Sequence, residues 1–279
     1  MYTSYWRLSK HPFQNVADPR FAYFSDQHHE GFARLLYLVN SHKLGGVLTG
    51  PYGVGKSMVL ELLAQRVRAE ALSRYLGIEI LPGEPMGLAR QLLAFIDKPR
   101  PIQDMTSVIE IVRAICDDPA VAFPHTVLAI DEAHLIKDQA FFDFLQMLTN
   151  ITVRGRDSAP KHSAFTLILS GHMDLIKKIQ SFESLSQRLQ LAWNLEPLNE
   201  AQTTEYIHHR IRTAKGDIWL FHEEAIRMIY QASHGIPRLI NNLCDVSLML
   251  GCVSNSKIVG PDVVQQAMRE TLSPMVRTC

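Results

Sequence analysis

The sequence predicts a three-layer α/β fold followed by a small all-helical domain, and three observations carry that prediction. A short apolar run, Gly46-Val47-Leu48-Thr49, leads into the glycine-rich stretch Gly50-Pro51-Tyr52-Gly53-Val54-Gly55-Lys56-Ser57 and then into a helix-forming segment over 58–64. Further apolar strand runs alternate with amphipathic helices, the pattern of a parallel sheet covered on both faces. After Pro197 strand candidates cease and the chain reads as a series of helices.

The stretch Gly50 to Ser57 fits G-x-x-x-x-G-K-[ST] without a mismatch. Its strand–loop–helix setting is what a phosphate-binding loop needs. Glycines let successive backbone N–H groups turn onto a phosphate, and the positive end of the following helix points at the same place. In this pattern Lys56 reaches the β- and γ-phosphates and the Ser57 hydroxyl ligates Mg²⁺. Gly50, Pro51, Tyr52, Gly53, Val54, Gly55 and Met58 complete the nucleotide-contacting segment, and ATP with Mg²⁺ is the expected ligand.

Bulk properties narrow the setting. The chain has 279 residues, with 28 Lys+Arg against 28 Asp+Glu, so no net field draws it to nucleic acid or an anionic membrane. Cys116, Cys244, Cys252 and Cys279 form no C-x-x-C pair and read as thiols of a reducing compartment. The N-terminus lacks the apolar core of a signal peptide, and no stretch is long enough to span a bilayer. The expected location is the cytoplasm, or the inner-membrane surface through a partner.

Taken in order, residues 1–40 form an aromatic arm and a first helix packed on the core. Trp6, Phe13, Phe21, Tyr23 and Phe24 crowd together there, and Phe32, Leu35, Leu36 and Val39 recur at helical spacing over 27–39. The core is expected over 41–196. A second strand is expected over 75–81, closed by Pro82-Gly83, then helices over 86–96 and 102–116 separated by Pro99-Arg100-Pro101. Asp117-Asp118 before Pro119 reads as a helix end. The run over 126–130 is apolar without alternation, as a central parallel strand would be. It delivers Asp131-Glu132 at its C-terminal end, where α/β sheets place ligands. Asp131 would complete the Mg²⁺ shell opposite Ser57, and Glu132 would accept a proton from attacking water. A helix follows over 141–148. The basic stretch over 153–162 reads either as a solvated hairpin or as a contact for nucleic-acid phosphates. A strand over 165–169 ends in Ser170-Gly171-His172. The domain over 197–279 has helices over 200–213, 222–233, 238–252 and 261–271, with Asn199 and Pro261 as start signals. The adjacent pairs His28-His29 and His208-His209 diverge by about 100° on a helix and read as surface residues, not as ligands of one metal.

Gly235-Ile236-Pro237-Arg238-Leu239-Ile240-Asn241-Asn242-Leu243-Cys244-Asp245 closely resembles the lid signature of the ExeA/GspA-like AAA+ ATPases. The N-terminal pattern is similar to that family too, through Tyr5-Trp6-Arg7-Leu8, Pro12-Phe13, Asp18-Pro19-Arg20-Phe21, Gln27-His28 and Leu35-Leu36-Tyr37. So are Ile168-Leu169-Ser170-Gly171-His172-Met173-Asp174-Leu175 and Ser186-Gln187-Arg188-Leu189. The resemblance covers nearly the whole chain. It implies an ASCE-type P-loop NTPase core with a helical lid, in bacterial general secretion or type IV pilus biogenesis.

Residue by residue, the resemblance implies that Arg188 is an arginine finger given in trans to a neighbour's ATP, and hence a ring or filament of the hexamer type. It makes Arg238, beside Pro237, a second sensor reaching from the lid to the γ-phosphate. Ser170 or His172 would be the first sensor, and Pro12 and Phe13 would cover the adenine. Longer members continue into a membrane span and a cell-wall-binding domain, so the likeness is to shorter, MshM-like members. The expected function is ATP hydrolysis that drives oligomer rearrangement and assembly of a protein partner, such as a secretion or pilus component. Two alternatives stand beside it: a DNA-bound regulatory ATPase of a transposition system (TnsC-like, IstB-like), and a nucleotide-gated scaffold with little turnover.

Overall fold

A computed structural model describes residues 2–70, 73–79, 85–97, 102, 104–118, 123–153 and 161–272. The helices in chain order are α1 (Tyr2–Tyr5), α2 (Asp26–Asn40), α3 (Lys56–Glu70), α4 (Pro85–Ile96), α5 (Met105–Asp117), α6 (Gln139–Thr149), α7 (Asp174–Gln180), α8 (Glu183–Ser186), α9 (Glu200–Thr213), α10 (Glu223–Ser233), α11 (Pro237–Val253) and α12 (Pro261–Leu272). The strands are β1 (Gly45–Thr49), β2 (Arg74–Glu79), β3 (Thr126–Asp131), β4 (Thr152–Val153), β5 (His162–Ser163), β6 (Phe165–Gly171) and β7 (Leu191–Asn194). They fall into two compact units: residues 29–50 with 59–195, and residues 1–28 with 51–58 and 196–279.

The first unit holds a five-stranded sheet in the order β2-β3-β6-β1-β7, parallel throughout. Every residue of β1 and β6 is buried, which requires cover on both faces. Parallel pairing brings all five C-terminal strand ends to one edge, so Asp131 on β3, Gly171 on β6 and Thr49 on β1 share it. The core packs Leu92, Val108, Ile109 and Val112 of α4 and α5 with Phe142, Phe144 and Leu145 of α6 and Leu128, Ile130, Leu167 and Leu169 of the central strands.

Some sequence expectations shift here. Helix α5 begins at Met105, not at residue 102, because the Asp104 carboxylate accepts the Ser107 N–H at 2.7 Å and fixes the start. Strand β7 was not anticipated. Four residues long and incompletely buried, Leu191-Ala192-Trp193-Asn194 becomes a strand by parallel pairing with β1. The short antiparallel pair β4–β5 sets Val153 opposite His162, in keeping with the hairpin reading of the basic stretch between them. Residues 80–84, 98–101, 119–122, 154–160 and Cys279, on which the Pro82-Gly83 turn, the Pro-rich separator, most of the basic stretch and one thiol were placed, lie outside the described residues.

In the second unit, four helices pack around Ile207, Ile211, Ile229, Ile240, Leu248 and Val264. Asn199 starts α9 with a reciprocal capping box, its side chain on the Gln202 N–H and the Gln202 side chain on its own N–H. The aromatic arm belongs to this unit. Trp6 Nε1 donates to Leu248 O at 2.8 Å, Tyr23 donates to Glu205 at 2.8 Å, and Phe13 stacks edge-on against Phe221. Arg210, 4% exposed, fastens the arm by donating to Pro12 O and Gln14 O, with Phe21 and Tyr206 beneath its guanidinium. Neutral carbonyls and ring faces thus satisfy a buried charge.

Candidate functional site

Residues 51–57 of the phosphate loop belong to the helical unit. Gly50, Gly53 and Gly55 have φ of 155°, 78° and 115°, and such values favour glycine. Space adds to this requirement. A Cβ on Gly53 would stand 2.5 Å from the Arg238 Cβ, and one on Gly55 would stand 2.8 Å from His28 Nε2. Lys56 opens α3 with 5% of its surface exposed, and its ammonium donates to Pro51 O at 2.9 Å. A buried cation within a loop of positive-φ glycines at a helix start fits a polyphosphate. Ser57 is exposed beside it, and Tyr52 is 55% exposed.

His28 corrects the surface reading. It is 6% exposed, with Nδ1 2.6 Å from Ser25 Oγ and Nε2 3.0 Å from Val54 O. A carbonyl only accepts, so the proton sits on Nε2 and Nδ1 takes the serine hydroxyl. Burial holds the imidazole pKa below its usual range, which keeps this neutral brace under the loop. His29 is exposed, whereas His208 and His209 are half-buried, so the surface reading holds for neither of that pair in full.

Arg238 stands in the first turn of α11, after Pro237, and its backbone N–H donates to Gly53 O at 3.2 Å. Its side chain is exposed. Within this unit, therefore, the lid signature and the phosphate loop are in direct backbone contact. Pro12 is buried and Phe13 is 2% exposed, which places the aromatic ring within the helical core.

The sheet unit gathers the carboxylates. Asp131 ends β3, and its Oδ1 accepts the Glu132 N–H at 2.9 Å. Glu132 has φ 53° and ψ 31°, a left-handed conformation that costs a non-glycine residue about 1–3 kcal/mol. A tight turn, Ala133–Leu135, follows. His134 Nδ1 lies 3.2 Å from Glu132 Oε2 and accepts the His172 N–H at 3.3 Å. A Cβ on Gly171 would stand 3.1 Å from the His134 backbone nitrogen, so the glycine admits the turn against the end of β6.

The two first-sensor candidates differ in access. Ser170 is fully buried, and its Oγ has no hydrogen-bond partner among the described residues. His172 is half-exposed, with Nδ1 3.2 Å from Asp174 Oδ2. Arg188, after α8, donates to Asn150 Oδ1 at 2.7 Å and to Ser184 O at 2.9 Å. The structure thus brings Lys56, Gly53 and Arg238 together in one unit, and Asp131, Glu132, Ser170 and His172 on neighbouring strand ends in the other. Lys178 escaped sequence reasoning. Its ammonium donates to His134 O at 2.6 Å and to Ile136 O, and nothing near it in sequence signals this.

Comparison with known proteins places this geometry in a family. Residues 39–179 match the AAA domain family. The chain is 29% identical over 272 residues to General secretion pathway protein A of Aeromonas hydrophila, covering 94% of this chain and 47% of that protein. It thus spans about half the length of that curated relative. The fold is similar to that in the structure of Drosophila ORC bound to DNA (TM-score 0.71, 16% identity, 96% of this chain and 67% of that one). Cdc6p from Pyrobaculum aerophilum (TM-score 0.70, 15% identity, 91% and 71%) and the Thermotoga maritima RuvB Holliday junction branch migration motor (TM-score 0.58, 16% identity, 88% and 69%) share it. Among the described residues no helix is long and apolar enough to cross a membrane.

Proposed function

The chain belongs to the AAA domain family, and on that premise we propose that it hydrolyses ATP and uses nucleotide occupancy to move its lid helices. The observation that carries this reading is the Arg238 N–H on Gly53 O. A loop that reshapes around a polyphosphate cannot do so without acting on the first turn of α11.

Each residue then has a task. The loop N–H groups and Lys56 bind the phosphates, and Arg238 senses the γ-phosphate from α11. Glu132 takes the proton of the attacking water, and Asp131 holds the N–H of Glu132 while presenting a carboxylate to the metal. Ser57 and Asp131 are oxygen donors of the kind that Mg²⁺ prefers, and bound magnesium would neutralise charge on the phosphates. His172 is the better first sensor, because Ser170 has no exposed surface to offer. Arg188, held by Asn150 and Ser184, serves a neighbouring copy, so that turnover belongs to an oligomer. The product of the chemistry is assembly of a protein partner, in keeping with the secretion-pathway relative.

The experiment is a comparison of steady-state hydrolysis and ATP binding in the native chain, Lys56→Ala and Glu132→Gln. Loss of a positioned general base lowers turnover by about 100-fold or more. Glu132→Gln should show that loss with ATP binding retained, and Lys56→Ala should lose both. Equal turnover in the native chain and Glu132→Gln would overturn the assignment.

A further inference from the structure

Glu132 occupies a left-handed backbone position at the head of the turn Ala133–Leu135, and something must hold that turn in place. Two contacts with the end of β6 do so. Gly171 lets the end of β6 approach the backbone of His134, and the His172 N–H donates to His134 Nδ1. Lys178 adds a third, from α7. Its ammonium donates to His134 O at 2.6 Å and to Ile136 O, bracketing the turn with two charge-assisted bonds to carbonyls two residues apart.

We propose that Lys178 is a positioning residue for Glu132, tying the turn that carries this carboxylate to the helix that begins at the first-sensor segment. The inference rests on the reading of Glu132 as the general base. It is carried by connectivity as well as contact. Helix α7 starts at Asp174, and the Leu175 N–H donates to His172 O at 2.9 Å, so α7 and the sensor segment form one piece. The Lys178 ammonium then fixes that piece to the turn after Glu132. A shift of His172 on contact with a phosphate then reaches the turn after Glu132 by two routes, the direct His172–His134 contact and the Lys178 side chain. Burial and the nearby Lys137 lower the pKa of Lys178, so the site accommodates an ammonium at some cost. The two carbonyls offset that cost, which a merely solvated lysine would never incur.

The test compares Lys178→Met and Lys178→Arg with the native chain. A positioning role predicts that Lys178→Met lowers kcat about tenfold or more while KM and the dissociation constant of a fluorescent ATP analogue stay within about twofold. Lys178→Arg, which keeps the charge and the donors, should recover at least about a third of native kcat. Amide hydrogen exchange of a peptide spanning 131–137 should quicken in Lys178→Met, with peptides from β1 and α5 unchanged. Native kcat in Lys178→Met overturns the proposal, as does an equal loss in both variants accompanied by a general rise in exchange, which is simple destabilisation. The underlying reading fails separately, through a Glu132→Gln variant that hydrolyses ATP at the native rate. In that event the exchange measurement still decides whether Lys178 holds the turn.

Discussion

Acid should weaken the sheet unit through one residue far from any phosphate chemistry, His125. This side chain precedes β3 and is 3% exposed. Thr166 Oγ1 donates to Lys43 O at 2.6 Å, so it accepts from His125 Nε2 at 3.0 Å, and Ser73 Oγ donates to Nδ1 at 2.9 Å. Both ring nitrogens are satisfied in the neutral form. The rings of His42 and His162 lie with centroids 4.4 Å and 6.3 Å away, and they repel a proton on His125 once charged. Burial first, then these two neighbours, push its pKa down from 6.5 to about 3. The sign follows from proton counts. Between pH 6.5 and 3 the unfolded chain binds a proton at this residue that the folded chain refuses, so stability falls as pH falls through that window. At pH 5 the loss is about 1.5 pH units at about 1.36 kcal/mol each, or about 2 kcal/mol. The assay is urea unfolding by circular dichroism at pH 7 and pH 5, in the native chain and in His125→Gln. At an m-value of about 3 kcal/mol/M, the native midpoint should drop about 0.7 M further than that of the variant. Equal drops in the two proteins would refute the reasoning, whatever the variant does to stability at pH 7.

Two other outcomes follow from the lid and from the proposed neighbour. Gly235 has φ 73°, and a Cβ there would stand 1.8 Å from Leu198 O, whose residue also donates its N–H to Gly235 O at 2.9 Å. Gly235→Ala should therefore cost about 2 kcal/mol or more and weaken ATP binding through the displaced start of α11, as read by thermal melting and nucleotide titration. A native melting temperature would contradict it. For Arg188, mixtures of Arg188→Ala and Lys56→Ala subunits should hydrolyse ATP faster than either variant alone, because hybrid contacts pair an intact loop with an intact finger. If turnover in every mixture lies at or below that of the two components, Arg188 does not act on a neighbour.

What could be read from the chain beforehand depended on how local the governing physics is. The phosphate loop is a local device, and β1, the glycines and α3 stand where a contiguous stretch of sequence puts them. Lid helices were legible almost to the residue, since caps and proline starts are written within four positions of each boundary: α9 runs from Glu200 behind Asn199, and α12 starts at Pro261. Strand β7 was illegible because its four residues carry no alternation and acquire strand geometry only from β1.

The histidines show the limit more sharply. Adjacent residues on a helix diverge by about 100°, which keeps His28 and His29 from sharing a metal. The same divergence requires that when one of them faces solvent the other can face the protein, and His28 does, under Val54 of the phosphate loop. Composition and spacing could not say which, because the deciding contact lies 26 positions away. Lys178 is the extreme case, 42 and 44 residues from the carbonyls it holds. Motifs name the groups that meet a ligand. The residues that hold those groups in strained positions, such as the left-handed Glu132, are chosen by tertiary contact alone. That is why candidate residues for the proposed chemistry could be picked from sequence, while the contacts that hold them had to come from geometry.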